Sequence, residues 1–248
     1  MSEILRALER DGYAVVRGFL GADDVRRLRE GFDRLLARAR RLEGSEEVGD
    51  ARFVVEHAPF RLHRVVWCGG ADDELAAFGD DPRFLRLAAA VLGQRQLVQL
   101  IQQAHFKLPG DGIDFAWHQD ASNRRYGSEF TDVAGNGSFV QMAVAVDAMT
   151  PDNGPLRMIP GTHRLGFVAD PLTGEVPPQH LDLTRAVDVA LQPGDLAVFG
   201  PFVLHGSPPN RSDQPRRLFL QGYTLPGANR RVYPGAGVGV PRRAPEEP

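Results

Sequence analysis

From Gln96 onward this 248-residue chain is written in short apolar runs cut by Gly, Pro, Asn and Asp. The runs are Leu97 to Leu108, Phe139 to Val146, Leu156 to Ile159, Val187 to Leu191, Leu196 to Phe199 and Arg216 to Leu225. Such spacing argues for an antiparallel sandwich or small barrel and against alternating βα units. Gly-rich phosphate loops of the P-loop or dinucleotide type are missing, which also weighs against nucleotide folds.

The first 95 residues read differently. Leu5 and Leu8 with their polar neighbours suggest a short opening helix, followed by extended Tyr13-Ala14-Val15-Val16. A longer helix capped by Asp23 and Asp24 is predicted to run to about Leu42, because Val25, Leu28, Phe32, Leu35, Ala39 and Leu42 step by three and four. Pro82 to Leu92 reads as another helix, with Pro near its start and Gly93 as its stop. The stretch of about 43–80 between them looks less regular. The expectation is one domain over 1–248, mainly β with helical N-terminal support. Its parts are a helical support over about 1–95, a double-stranded β-helix (jelly-roll or cupin-like) core over about 96–225, and a Gly-, Pro- and Arg-rich tail over about 234–248 that hugs the surface or frays.

Composition excludes several classes of function. A net charge of −3 offers no polycationic surface for nucleic acid or anionic membrane. The arginine clusters at 34–41, 230–231 and 242–243 read as solvated faces. A single cysteine, Cys68, rules out an internal disulfide framework and fits a reducing compartment. No apolar run approaches a membrane span, and the N-terminus lacks the apolar core of a signal peptide, so a cytoplasmic location is expected. No feature fixes an oligomeric state.

The chemistry concentrates at Trp117-His118-Gln119-Asp120, with His205 far downstream and Arg216 eleven residues after it. On an extended strand, residues two apart share a face, so His118 and Asp120 are expected to point together. A second imidazole from His205 would complete two His and one carboxylate, the ligand set of non-heme Fe(II) oxygenases. Arg216 aligns with Leu218 and Leu220 toward the interior, where an unpaired guanidinium demands an anion. Arg217 falls on the opposite face and reads as solvent-facing. Gln99, Gln103, His105 and Lys107 share a face with Ile101, the polar interior that a co-substrate pocket would show; an outward polar face is the competing reading. His163 reads as structural, His57, His63 and His180 as loop residues, and Asn153-Gly154-Pro155 as a turn.

Several pieces in order resemble the phytanoyl-CoA dioxygenase family of Fe(II)- and 2-oxoglutarate-dependent oxygenases. They are Phe106-Lys107-Leu108-Pro109-Gly110, Trp117-His118-Gln119-Asp120, Asp152-Asn153-Gly154-Pro155-Leu156, Ile159-Pro160-Gly161-Thr162-His163, the Pro-Gly-Asp turn at 193–195, and His205-Gly206-Ser207 followed by Arg216. The resemblance implies iron held by His118, Asp120 and His205, and 2-oxoglutarate chelating it, with O2 as the oxidant. Arg216 and Ser207 would hold the far carboxylate, and Lys107, His105 and Gln103 are further candidates to contact the co-substrate or the substrate. Relatives that halogenate carry a small residue where this chain has Asp120, so halogenation is disfavoured. Hydroxylation, oxidative cyclisation or desaturation of a small molecule, in natural-product tailoring with a sugar-, peptide- or polyketide-derived substrate, is the expected outcome. The alternatives are a zinc-type metallohydrolase, which leaves Arg216 and Ser207 without a role, and a non-catalytic β-barrel binding module. Substrate determinants are sought at Ser122, Asn123, Arg124, Arg125, Tyr126 and Phe130, in the insertion from Leu165 to Asp188, and in a lid over 57–80.

Overall fold

The computed structural model describes residues 1–246. The chain begins with α1 (Ser2–Asp11), β1 (Tyr13–Val16) and α2 (Ala22–Ala39). Three strands follow, β2 (Glu46–Val48), β3 (Ala51–His57) and β4 (Phe60–Val66), then α3 (Asp73–Ala77) and α4 (Pro82–Leu92). The remainder is β5 (Gln96–Lys107), β6 (Phe115–His118), α5 (Asp120–Asn123), β7 (Phe139–Ala145), β8 (Arg157–Met158), β9 (Val187–Asp188), β10 (Leu196–Phe199), β11 (His205–Ser207), β12 (Arg216–Thr224) and β13 (Val240–Arg243).

Two sheets face each other. The major sheet runs β1-β10-β7-β12-β5-β4-β3-β2, and the minor one β6-β11-β8-β9. Every pairing is antiparallel. One face of the major sheet lies under the helices, and its other face turns toward the minor sheet. The helix-covered face is the main core. There Phe32 of α2 packs on Phe106 of β5 with ring centroids 5.0 Å apart, and Phe84 of α4 and Phe78 pack edge-on against Phe219 of β12. Among the described residues, no helix is long and apolar enough to cross a membrane.

The local signals explain the helices. Asp81 caps α4 by accepting from the Arg83 N–H at 2.9 Å, Pro82 occupies the first turn, and Gly93 ends it at φ 70°. The buried stripe of α2 is Val25, Leu28, Gly31, Phe32, Leu35 and Ala39. This helix stops at Ala39, short of Leu42, and its N-cap is Gly21. Asp23 and Asp24 sit in the first turn, where they complement the helix dipole rather than cap it.

Three expectations are corrected. The stretch read as irregular contains β2, β3 and β4, which extend the major sheet beyond β5. The C-terminal segment, expected to hug the surface or fray, hugs it: β13 pairs with Gln96–Gln99 of β5, while residues 247–248 lie outside the described residues. Arg217 is not solvent-facing. It is buried beneath the helices and paired with Asp147 at 2.8 Å and Asp33 at 2.7 Å, because the outer face of β12 is covered. A register shift between Gly222 and Tyr223 leaves Leu100 unpartnered on β12 and moves Gln99 off the interior face, where it bonds Gln221 and Arg242. Phe106→Ala, by removing the ring that joins α2 to β5, is expected to cost about 3–5 kcal/mol of stability in denaturant unfolding.

Candidate metal centre and carboxylate site

His118 ends β6, and His205 opens β11 directly opposite it in the antiparallel register. Their rings come within 4.1 Å, centroid to centroid. Asp120 is not on the strand: it is the first residue of α5, one step past the strand end. The turn into that helix nevertheless brings its Oδ1 to 3.7 Å from both His118 Nε2 and His205 Nε2. Ligand atoms of all three lie within 4.8 Å of one another. Each imidazole is oriented from behind. The Nδ1–H of His118 donates to the Ala116 carbonyl at 2.7 Å, and that of His205 to the Val203 carbonyl at 3.0 Å, so both Nε2 lone pairs face Asp120. Burial and the neighbouring His118 push His205 down to about 4, which keeps it a neutral ligand at physiological pH. This donor set suits an iron ion, with three positions left open.

A second cluster lies on the same cavity, formed where β5 and β12 meet β11. The Ser207 hydroxyl accepts from Lys107 Nζ at 2.6 Å and from Arg216 at 2.8 Å, and donates to the Gly154 carbonyl at 2.9 Å. Arg216 Nε donates to that same carbonyl at 2.9 Å, and Lys107 also reaches the Ser207 and Pro208 carbonyls. Gly154 is required there. It sits at φ 74°, and a Cβ would stand 2.4 Å from the Pro208 carbonyl oxygen. The turn read as merely structural therefore supplies the acceptor that aims Arg216. Both basic side chains are fully buried, yet among the described residues every hydrogen-bond partner is neutral. Burial lowers Arg216 to about 10; burial, together with repulsion from Arg216, brings Lys107 to about 6. A buried cation pair of this kind fits an incoming carboxylate.

The cavity between the sheets has a volume of about 520 Å³ and holds His118, Asp120, His205, Ser207 and Arg216 along one side. Gln103 and His105 line its floor. His105 Nε2–H donates to Gln103 Oε1 at 2.8 Å and the ring stacks on Phe115. Burial, with the nearby cations Arg64, Arg216 and Lys107, pushes His105 well below the ordinary imidazole value. Of the loop after the metal motif, Asn123 and Arg124 reach the cavity; Tyr126 and Phe130 pack into an apolar cluster and Arg125 is exposed. No described residue of 165–188 lines it, and of 57–80 only Arg64 and Val66 do. His63 bonds Glu56 and His163 the Glu9 carbonyl, both remote from the metal ligands. Arg231, Tyr233 and Pro234, from the segment before β13, complete the wall and carry no sequence signal of that role.

Gln119, between the two metal ligands, was also missed. Its buried amide donates to the carbonyls of Gly166 (2.7 Å) and Phe202 (2.6 Å) and accepts from the N–H groups of Val168 and Ala169. Three of its four hydrogen bonds tie the start of the 165–188 insertion to the turn that carries His118 and Asp120, and the fourth fastens that turn to the loop before His205. Gln119→Leu is expected to speed amide exchange across 166–170 by roughly 5- to 100-fold, the cost of a few buried hydrogen bonds, while iron still binds.

The family model for Phytanoyl-CoA dioxygenase (PhyH) matches residues 8–218. A methylphosphonate hydroxylase of Gimesia maris is 32% identical over 136 residues, covering 55% of this chain and 48% of that protein. The chain thus spans about half the length of this curated relative. Among solved structures, iron-bound EctD from S. alaskensis superimposes with a TM-score of 0.73 at 23% identity, covering 91% of this chain and 76% of that one. The α-ketoglutarate-dependent epimerase SnoN from nogalamycin biosynthesis gives 0.69 at 24% identity, covering 90% and 80%. These two likenesses support the jelly-roll fold seen here. With the ordered motifs, the two facing sheets and the match over 8–218, the chain belongs to the phytanoyl-CoA dioxygenase (PhyH) family.

Proposed function

We propose that this protein is an Fe(II)- and 2-oxoglutarate-dependent oxygenase that oxidises a C–H bond of a small molecule. The observation that carries the reading is one cavity lined by His118, Asp120 and His205 and also by Ser207 and Arg216, with Lys107 buried behind Ser207 and, among the described residues, no carboxylate bonded to that cluster. A metallohydrolase needs the first and has no use for the second. A binding module needs neither.

Bound iron with 2-oxoglutarate and O2 supplies the oxidation, in which R–H, 2-oxoglutarate and O2 give R–OH, succinate and CO2. The protein's share is placement. His118, Asp120 and His205 would hold the metal and leave its remaining positions to co-substrate and O2. Arg216 offers its fork to the far carboxylate of 2-oxoglutarate, Ser207 shares that oxygen, and Lys107 adds the balancing charge. His105, kept neutral, and Gln103 flank the bound chain as hydrogen-bonding groups. Asp120 occupies the position a halide would need, which favours hydroxylation, cyclisation or desaturation over halogenation. Natural-product tailoring in the cytoplasm is the favoured setting, supported by the biosynthetic origin of SnoN and by the buried lone thiol of Cys68.

Under anaerobic conditions, Fe(II) and 2-oxoglutarate together are expected to give a weak visible charge-transfer band; its absence from iron-loaded protein would contradict the reading. Arg216→Ala is expected to raise the 2-oxoglutarate needed for that band by roughly 30- to 1,000-fold while iron affinity changes little. Equal loss of both would make Arg216 structural. Lys107 gives a pH signature. Its free pKa of about 6 rises when a carboxylate arrives, so binding takes up a proton above that pH and weakens as pH increases. Calorimetry in buffers of different ionisation heat measures that uptake; proton release on binding would contradict the assignment.

A further inference from the structure

Among the described residues the cavity is lined by five arginines, Arg52, Arg64, Arg124, Arg216 and Arg231, against a single carboxylate, that of Asp120. A cleft with that imbalance selects its contents by charge. Four of the five guanidiniums have partners. Arg216 bonds Gly154 and Ser207. Arg124 lies 3.4 Å over the Phe139 ring and donates to the Asp120 carbonyl. Arg231 donates to the Asn123 carbonyl and rests over Tyr233. Arg52 stands 3.6 Å from Glu47 at the rim.

Arg64 differs. It projects into the cavity from β4, half-buried, beside His105 in the strand register. Among the described residues it makes no hydrogen bond and no ion pair, and burial alone lowers its pKa with no carboxylate to raise it. Its contrast is Arg217, a buried guanidinium with a structural task, which has two carboxylates supplied to it. A half-buried guanidinium that faces the cavity and meets no protein acceptor among the described residues has its donors free for an incoming anion. Arg64 is also set apart from the Lys107–Ser207–Arg216 cluster. Two strand spacings and a two-residue offset separate its Cα from that of Arg216, about 12 Å. That leaves room for two anions, one at each place.

We propose that Arg64 is the substrate's anion site: the molecule oxidised here carries an oxoanion, a carboxylate or a phosphorus oxoanion, gripped by this guanidinium while 2-oxoglutarate occupies Arg216. The inference rests on the oxygenase reading above and names its substrate class. The half-buried guanidinium holds one end of the substrate, and the C–H bond to be oxidised then lies between Arg64 and the metal ligands.

The test uses full-length protein loaded anaerobically with Fe(II) and 2-oxoglutarate and titrated with three matched probes, ethylphosphonate, propionate and propionamide. At least one anion is expected to bind by calorimetry and the neutral amide is not, and the stronger of the two anions identifies the oxoanion. Arg64→Gln is expected to weaken anion binding about 10- to 100-fold, the range for lost charge-assisted hydrogen bonds, with 2-oxoglutarate affinity held within about twofold. Arg64→Lys, which keeps the charge without the fork, is expected to fall between. The proposal is overturned if neither anion binds, if propionamide binds as well as the anions, or if Arg64→Gln binds them unchanged. It is overturned too if Arg216→Ala weakens probe binding as much as Arg64→Gln does at saturating 2-oxoglutarate, since that places the anion on Arg216. If the charge-transfer band never forms but anion binding still depends on Arg64, the oxygenase reading fails and the anion site stands.

Discussion

The junction of the two sheets turns on one hydroxyl. Ser207 receives hydrogen bonds from two buried basic side chains, one on β5 and one on β12, and donates its own to the Gly154 carbonyl. This knot ties the major sheet to β11, and His205 stands two residues upstream on that strand. Burying the Arg216 charge costs several kcal/mol, and beside it Lys107 falls to about 6, mostly uncharged at neutral pH until an anion arrives. Neutral acceptors alone therefore do not repay the burial. The deficit is carried by the apolar core on the helix side, and it leaves the cluster primed for an anion.

Adjacent residues of β12 show the same physics with opposite solutions. Arg217 points to the helices and finds Asp147 and Asp33 waiting, so its burial is compensated inside the fold. Arg216 points to the cavity and finds only oxygen dipoles. Strand alternation separates a structural arginine from a functional one by a single residue.

Much of this was readable in the chain. The stripes of α2 and α4, the caps of α4, the antiparallel core and the grouping of His118, Asp120 and His205 all follow from local patterns or ordered motifs. The rest depends on contacts between segments distant in sequence. The strands β2 to β4 are hidden because Glu46, Glu47, Arg52, Glu56 and Arg61 interrupt the apolar alternation of a hairpin that is half solvent-exposed. Asp120 shares a site with His118 through a turn into a helix rather than through a continued strand, so the right pairing came from the wrong geometry. Gln119 and Gly154 act through backbone groups of remote loops, which no spacing rule reports. Arg64 is one arginine among many until its neighbours are known, and its lack of any partner is visible only in three dimensions.

The β3–β4 hairpin supplies Arg52, Val54, Arg64 and Val66 to the cavity and nothing to the metal centre or the carboxylate knot. On the proposed function, chemistry and recognition are thus housed in separable parts of one molecule. Drift in this hairpin would then retune which compound is accepted without disturbing the residues proposed to hold the metal and co-substrate. The hairpin is accordingly where divergence among such scaffolds is cheapest, and where an engineer seeking a new substrate would begin.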